Sequence, residues 1–295
     1  MKATIIGLGL IGGSMALDMR RKGVATRLTG VDHSHAHGQR ALELGLVDEV
    51  LPLEEGVKDA DLVVLAIPVN AIAGMLPSLL DQIPAKTMVM DTGSTKAAIC
   101  QAVRGHGNRH RFVAAHPISG TENSGPEAAL PGLFENKTMI LCEKELSSAQ
   151  ALKVAETLFA ALRVKTIFMD PVEHDRHIAY VSHLSHVSSF LLGQTVMDIE
   201  KDEKNIFDLA GSGFASTVRL AKSSPQMWAP IFEQNVEYLG MALMEYIMHL
   251  QRFHYYLMKK DTQEIYRIMR QANDIRRVLS GIELKEKEPK SIVKQ

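Results

Sequence analysis

Two groups of residues in this chain have the types and spacing that chemistry needs. The first begins with Gly7-Leu8-Gly9-Leu10-Ile11-Gly12, a G-x-G-x-x-G. It follows the β-branched run Ala3-Thr4-Ile5-Ile6 and opens an apolar helical pattern that reaches about Arg21. In that context the glycines suit a pyrophosphate: Gly7 for a tight strand-to-helix turn, Gly9 for close approach of phosphate to backbone, and Gly12 for packing of helix on strand. Free N–H groups in the first helical turn, around Leu10 and Ile11, and the positive end of the helix dipole complete an anion site. Asp32 closes a second strand pattern (Thr26 to Val31), twenty residues past Gly12. A carboxylate at that place holds a ribose 2′-hydroxyl, so NAD is the expected cofactor. No arginine directly follows Asp32, but Ser34, His35 and Arg40 stay open as receivers of the 2′-phosphate of NADP.

The second group is built on histidine. A nicotinamide site needs a group to accept the proton of the alcohol whose hydride leaves, and imidazole titrates in the right range. Among twelve histidines, His116 stands out because it directly follows the strand pattern Phe112–Ala115 and Pro117 fixes its exit. The competing view is a hydrogen-bonded loop histidine. Ser94, at the end of a neighbouring strand pattern, would orient that imidazole or bind a substrate hydroxyl; taken alone it reads better as the N-cap of a helix starting near Thr95-Lys96. Further on, His174, His177, His183 and His186 share one helix pattern, with His183 and His186 on one face. A metal pair, core or surface histidines, and a substrate-facing histidine are all open there. No third ligand has obvious spacing, so no metal is expected. Arg219 sits among Phe214, Val218, Leu220 and Ala221 and wants a carboxylate or phosphate partner, or an internal ion pair to Glu122 or Asp208.

The elements that position these residues alternate. After Asp32 come a helix (Ala36–Leu44), a buried strand (Asp61–Ile67) closed by Pro68, a helix (Val69–Leu80), a strand (Thr87–Asp91), a helix (Lys96–Val103) and the strand before His116. Strands at Thr138–Cys142 and Lys165–Met169 flank a helix near Ser147–Leu162. This is an α/β Rossmann-type, doubly wound parallel sheet whose strand ends share one ligand-binding edge. Ile67, Pro68 and Ser94 are expected to line the dinucleotide there. Asp170-Pro171 marks a boundary, because proline stops a strand and starts a helix well. We therefore expect a dinucleotide-binding domain over 1–170, an all-α substrate and dimerisation domain over 171–284, and a charged tail over 285–295. Long helices are expected over Glu173–Glu200, Pro225–Gln251 and Thr262–Leu279. The second has too few polar positions for a solvent-facing helix and suggests a homodimer.

A net charge of −1 leaves no electrostatic footprint for nucleic acid or an anionic membrane. Nowhere is there a run of about 18 apolar residues, so no transmembrane helix is expected. Arg20, Arg21 and Lys22 stand where a signal-peptide cleavage site would lie. Cys100 and Cys142 read as reduced core residues of a cytoplasmic protein.

Taken together, GLGLIGGS, GVD, DTGSTK, HPISGTE, SHLSH and GSGFASTVRLAKSSPQMW resemble the prephenate/arogenate dehydrogenase family in order and spacing, over nearly the whole chain. The chain departs from the family at Ser185, where proline is frequent, and at Ala215-Ser216. The resemblance implies NAD-dependent oxidative decarboxylation of prephenate, with arogenate as the alternative substrate, by an intertwined dimer. It implies that His116 accepts the ring hydroxyl proton and that Ser94 hydrogen-bonds both His116 and the substrate. It also implies that Arg219 binds a substrate carboxylate, that His186 and Trp228 line the substrate pocket, and that Thr121 and Glu122 belong to a mobile binding loop. His183 would be structural. Two other readings are a 3-hydroxyacid dehydrogenase, whose lysine acid/base has no counterpart here, and a non-catalytic NAD-binding protein, which would not require His116.

Overall fold

The computed structural model describes residues 1–203 and 205–287. Its first half runs β1 (Lys2–Ile6), α1 (Leu10–Arg21), β2 (Arg27–Val31), α2 (His35–Glu43), β3 (Glu49–Val50), α3 (Leu53–Gly56), β4 (Leu62–Leu65), α4 (Val69–Gln82), β5 (Met88–Asp91), α5 (Ala97–Ala102), β6 (Phe112–Ile118), β7 (Thr138–Cys142), α6 (Ala149–Leu162) and β8 (Lys165–Met169). The strands bond in the order β3-β2-β1-β4-β5-β6-β7-β8. From β2 across to β7 their β-branched and methionine-rich residues are buried from both faces, as a covered parallel sheet requires, while the edge strands β3 and β8 are partly exposed. One face packs under α1 and α6, and the other under α4 and α5.

The sheet is parallel except at β6–β7, which is antiparallel. This corrects the all-parallel expectation. A parallel return needs a crossover, usually a helix, and the stretch from 119 to 137 holds only a single 3-10 turn at Pro126–Ala128. β6 also runs on through His116 to Ile118, so His116 lies in a strand rather than after one. β6 pairs with β5 only at Phe112 and Val113 before turning to β7. Where it leaves, the Asp91 carboxylate accepts the Ala115 N–H (3.0 Å) and replaces the lost ladder bond.

The chain then becomes helical. Pro171 opens α7 (Pro171–Ile178), and the Asp170 side chain accepts the Val172 and Glu173 N–H groups as its cap. One π turn, Ala179–His183, joins α7 to α8 (Leu184–Asp202). After it come α9 (Ser212–Val218), a 3-10 turn at Arg219–Lys222, α10 (Pro225–Gln234), α11 (Val236–Met258), α12 (Thr262–Ala272) and α13 (Arg276–Lys287). The expected Pro225–Gln251 helix is thus two, broken at Asn235. The Asn235 side chain is buried and donates to backbone and imidazole acceptors, which competes with a regular helix.

Contacts divide the chain into two compact units, Met1 to Leu239 and Gly240 onward. In the first, Trp228 and Ile231 of α10 join the core on the α4 face of the sheet, so α10 is built onto the Rossmann layer. In the second, α12 is capped by the Asp261 carboxylate, which accepts the Glu264 N–H (3.1 Å). Met241, Met244, Met248, Leu250, Leu257 and Met258 of α11 are exposed. The tail expected over 285–295 lies outside the described residues from 288 on.

Candidate active site

The cradle for a dinucleotide forms where β1 meets α1. Gly7 has φ +94°, and a Cβ there would lie 2.3 Å from the Ala66 carbonyl oxygen and 2.8 Å from Ile67 Cγ2. At Gly12 a Cβ would meet the Gly7 carbonyl oxygen at 2.0 Å. Gly9 is different, because no atom lies within 4 Å of the Cβ it lacks. The space beside its backbone is open at the N-terminus of α1, where no side chain caps the helix. Leu10 and Ile11 lie in the first turn of α1. The Asp32 carboxylate accepts the Leu8 N–H (2.8 Å) and the Ser34 N–H (2.9 Å). A carboxylate has about four acceptor positions, so two stay available for a ribose diol. Of the residues left open for a 2′-phosphate, Arg40 is paired with Glu43 and Glu127 (2.9 Å each) and the Ser34 hydroxyl accepts the His37 N–H as the cap of α2. Ile67 and Pro68 stand at the end of β4 beside this loop, with Pro68 opening α4.

At the same edge, β6 carries His116, which is 7% exposed. Its Nδ1 lies 2.8 Å from Nε2 of His174, and His174 Nδ1 lies 2.7 Å from Oδ1 of Asp175. The Asp175 carboxylate also accepts the Lys96 and Ala97 N–H groups (2.7 and 2.9 Å), so it caps α5 from another helix. The sequence reading assigned that cap to Ser94, but α5 starts at Ala97, too far along the chain. The expected Ser94–His116 hydrogen bond is likewise not formed: His174 takes the imidazole nitrogen. Among the described residues Ser94 Oγ and His116 Nε2 have no hydrogen-bond partner. Lys96, wholly buried, forms a close ion pair with Asp91.

The π turn carries the next ring. His183 is buried, with Nδ1 3.1 Å from the Asn235 amide nitrogen, and it meets Trp228 edge-on at 5.8 Å. On the other side of Trp228, His186 stacks at 3.5 Å between centroids, its Nδ1 held 3.0 Å from the Ser182 carbonyl. Arg219 Nη1 lies 2.5 Å from Oε2 of Glu122, which is one of the two internal ion pairs anticipated; the Asp208 pair is not formed. Thr121 Oγ1 accepts the Asn123 N–H (3.2 Å) and so shapes its own turn. His116 and His174 are thus bonded, His183, Trp228 and His186 are in ring contact, and Arg219 pairs with Glu122 near enough for its charge to act on His186. Asp175, Lys96 and Asn235 were not singled out from sequence, and His174 only as one of four histidines on a helix pattern. The only local hint was the His-Asp pair one turn after the Pro171 helix start.

Burial shifts the histidines in one direction. His116 is held well below the ordinary imidazole value of 6.5, by burial first and then by His174, Lys96 and His183. Burial also lowers His174 and His186, and brings His183 down to about 4. The unfolded chain therefore binds protons that the folded chain refuses. The stability these groups contribute is fully present above about pH 6.5 and is lost as pH falls toward 4. Denaturant unfolding at pH 7.5 and 5 should show a lower midpoint at pH 5; equal midpoints would contradict it.

An imidazole with a free ring nitrogen beside a dinucleotide cradle is the layout of a nicotinamide-dependent dehydrogenase. Comparison with known proteins narrows that class. Residues 15–168 match the family model described as prephenate dehydrogenase, nucleotide-binding domain, and residues 170–271 match that of the prephenate dehydrogenase dimerization domain. The chain belongs to the prephenate dehydrogenase family. It is 33% identical to the prephenate dehydrogenase of Bacillus subtilis, over 97% of this chain and 78% of that one. The crystal structure of prephenate dehydrogenase from A. aeolicus in complex with hydroxyphenyl propionate and NAD+ superposes with a TM-score of 0.84 at 29% identity, covering 95% of this chain and 98% of that one. Synechocystis arogenate dehydrogenase superposes with a TM-score of 0.72 at 28% identity, over 95% and 100% of the two chains.

Proposed function

We propose that this enzyme oxidises prephenate with NAD to 4-hydroxyphenylpyruvate and CO2. The observation that supports it most is the unpartnered Nε2 of His116 at the cradle's edge, in a chain of this family. Bound at Gly7–Gly12 and Asp32, with Ile67, Pro68 and Ser94 alongside, NAD supplies the hydride acceptor. His116 takes the proton of the ring 4-hydroxyl as that carbon loses hydride. The carbon–carbon bond to the ring carboxylate then breaks, its electron pair makes the ring aromatic, and His116 returns the proton to the oxygen that becomes the phenol. Ser94 Oγ hydrogen-bonds the same hydroxyl. Alignment and one base are sufficient, because aromatisation drives the loss of CO2.

Arg219 binds a substrate carboxylate in exchange for Glu122, with His186, Trp228 and Thr121 completing the pocket. A charge-assisted hydrogen bond is worth about 1.5–3 kcal/mol. Arg219 is 51% exposed, which places it at the low end, so Arg219→Ala should raise KM about tenfold with kcat nearly unchanged. An unaltered KM would end its carboxylate role. Gly9→Ala should lower Tm only slightly, through the N-cap preference alone since its Cβ meets nothing, yet weaken NAD binding about tenfold, or roughly 1.4 kcal/mol. Calorimetric titration with NAD reads this directly, and an unchanged Kd would remove the phosphate from that position.

The helical domain, from Pro171 to about residue 284, pairs two chains through the apolar helix pattern after Pro225, and a single-chain mass in light scattering would contradict this. The enzyme works in the cytoplasm, where the buried thiols of Cys100 and Cys142 stay reduced; no helix among the described residues is long and apolar enough to cross a membrane. Arogenate, which carries an amine in place of the side-chain ketone, is the second reading, favoured by the likeness to the Synechocystis enzyme. NADH formation with prephenate and with arogenate, repeated with NADP, decides. No NADH from either substrate would overturn the function, and equal rates with NADP would overturn the role of Asp32.

A further inference from the structure

We infer that His174 and Asp175 are positioning residues that lock His116 into the Nδ1–H tautomer and so aim a lone pair, on Nε2, at the substrate; this rests on the role proposed for His116. The protons follow from the acceptors. An ionised carboxylate only accepts, so His174 must donate its Nδ1–H to Asp175 Oδ1 at 2.7 Å. A neutral imidazole with Nδ1 protonated has an acceptor at Nε2, and that atom faces His116 Nδ1 at 2.8 Å. His116 must therefore donate through Nδ1, which leaves Nε2 unprotonated. The reverse tautomer would set two lone pairs against each other and present an N–H, which cannot accept a proton.

Asp175 is fixed at both ends. Its carboxylate is anchored by the Lys96 and Ala97 N–H groups, and its backbone carbonyl accepts from the Asn235 amide at 2.7 Å. The rings thus hang from a carboxylate that cannot swing away. The groups acting on His116 are Lys96, paired with Asp91, from the start of α5, His174 from α7 with Asp175 behind it, and His183 from the π turn. Burial keeps His174 neutral near pH 7, as the tautomer chain requires. When His116 gains a proton from substrate, its Nδ1–H keeps the same acceptor, so no rearrangement accompanies the transfer.

Two measurements test this. Ring-nitrogen NMR of 15N-histidine-labelled enzyme at pH 7.5, with His116 assigned by its loss in His116→Asn, should show a protonated Nδ1 and an unprotonated Nε2. The opposite pattern overturns the inference, and this reading needs no turnover, so it stands apart from failure of the proposed reaction. In activity, His174→Phe keeps an aromatic ring, somewhat larger, but no acceptor. It should lower kcat about 100-fold, within the 10²–10⁴ a general base contributes, with KM and the Kd for NAD unchanged. His174→Gln, whose amide oxygen offers an acceptor near the Nε2 position, should recover at least tenfold of that loss. A folded His174→Phe with wild-type kcat, or no difference between Phe and Gln, overturns it. If His174→Phe does not fold, the wild-type NMR pattern decides alone.

Discussion

Replacing His116 with asparagine should lower turnover with prephenate by about 10²–10⁴-fold while leaving the affinity for NAD unchanged. That loss equals roughly 3–5 kcal/mol of barrier. It falls on kcat because Nε2 of His116 is an unpartnered imidazole acceptor at the strand edge, whereas both nitrogens of His174 are bonded and His183, whose Nδ1 accepts from Asn235, carries its proton on Nε2. NAD is held elsewhere, at Gly7–Gly12 and Asp32. The asparagine amide sits near the Nδ1 position and donates to His174 Nε2 in its place, so the variant should keep its fold while losing the base. The wild-type pH profile carries a second mark. A base must be neutral to act, and burial with the nearby Lys96 charge holds His116 well below 6.5. The acid limb of kcat/KM should therefore lie below that of an ordinary histidine, not above it. Stopped assays with prephenate across pH, together with NAD titration, check both. A variant that retains turnover within tenfold would remove His116 as the base.

Much of this was legible in the sequence, and what was not has a common cause. The glycine loop, Asp32 and the strand–helix alternation are local: each depends on residues within one βαβ unit, where hydrophobic period and turn chemistry speak directly. The features that escaped are contacts between distant segments. Ser94 looked like a cap because serine before a helix usually is one. Asp175, 78 and 79 positions away from the N–H groups it accepts, caps that helix instead, and no local pattern announces it. The antiparallel β7 was hidden for a related reason: a buried apolar strand reads the same in either direction, and only the missing crossover helix between 119 and 137 distinguishes them. His174 was visible as one of four histidines on a helix, but its partner on β6 lies 58 residues away. Asn235, which breaks one long apolar pattern into α10 and α11, does so through bonds to Asp175 and His183 that only the fold brings within reach.

The buried ion pair under the site should be the costliest feature of the Rossmann layer to break. Lys96 and Asp91 are both inaccessible to solvent and in direct contact. Asp91 also accepts the N–H groups of Gly93 (2.9 Å) and Ala115 (3.0 Å), the second holding β6 where it parts from β5. Asp91→Ala strands an ammonium in the core and orphans two backbone donors, which together cost about 3–5 kcal/mol. Against the 5–15 kcal/mol of a typical domain, that is a large fraction of stability. At about 2–4 °C per kcal/mol for a unit of this size, Tm should fall by roughly 6–20 °C. Lys96→Met should cost less, because Asp91 would keep its two N–H donors. The double variant should be more stable than Asp91→Ala alone, because it removes the stranded charge as well as its partner. Calorimetry on the three variants orders them, and a double variant no more stable than Asp91→Ala would show that the charge is not what the pair neutralises. Lys96→Met also carries a functional signature, since it removes a positive charge that holds His116 down. The acid limb of its pH profile should move up toward that of an ordinary histidine, which ties the stability of the strand edge to the proton affinity of the base it supports.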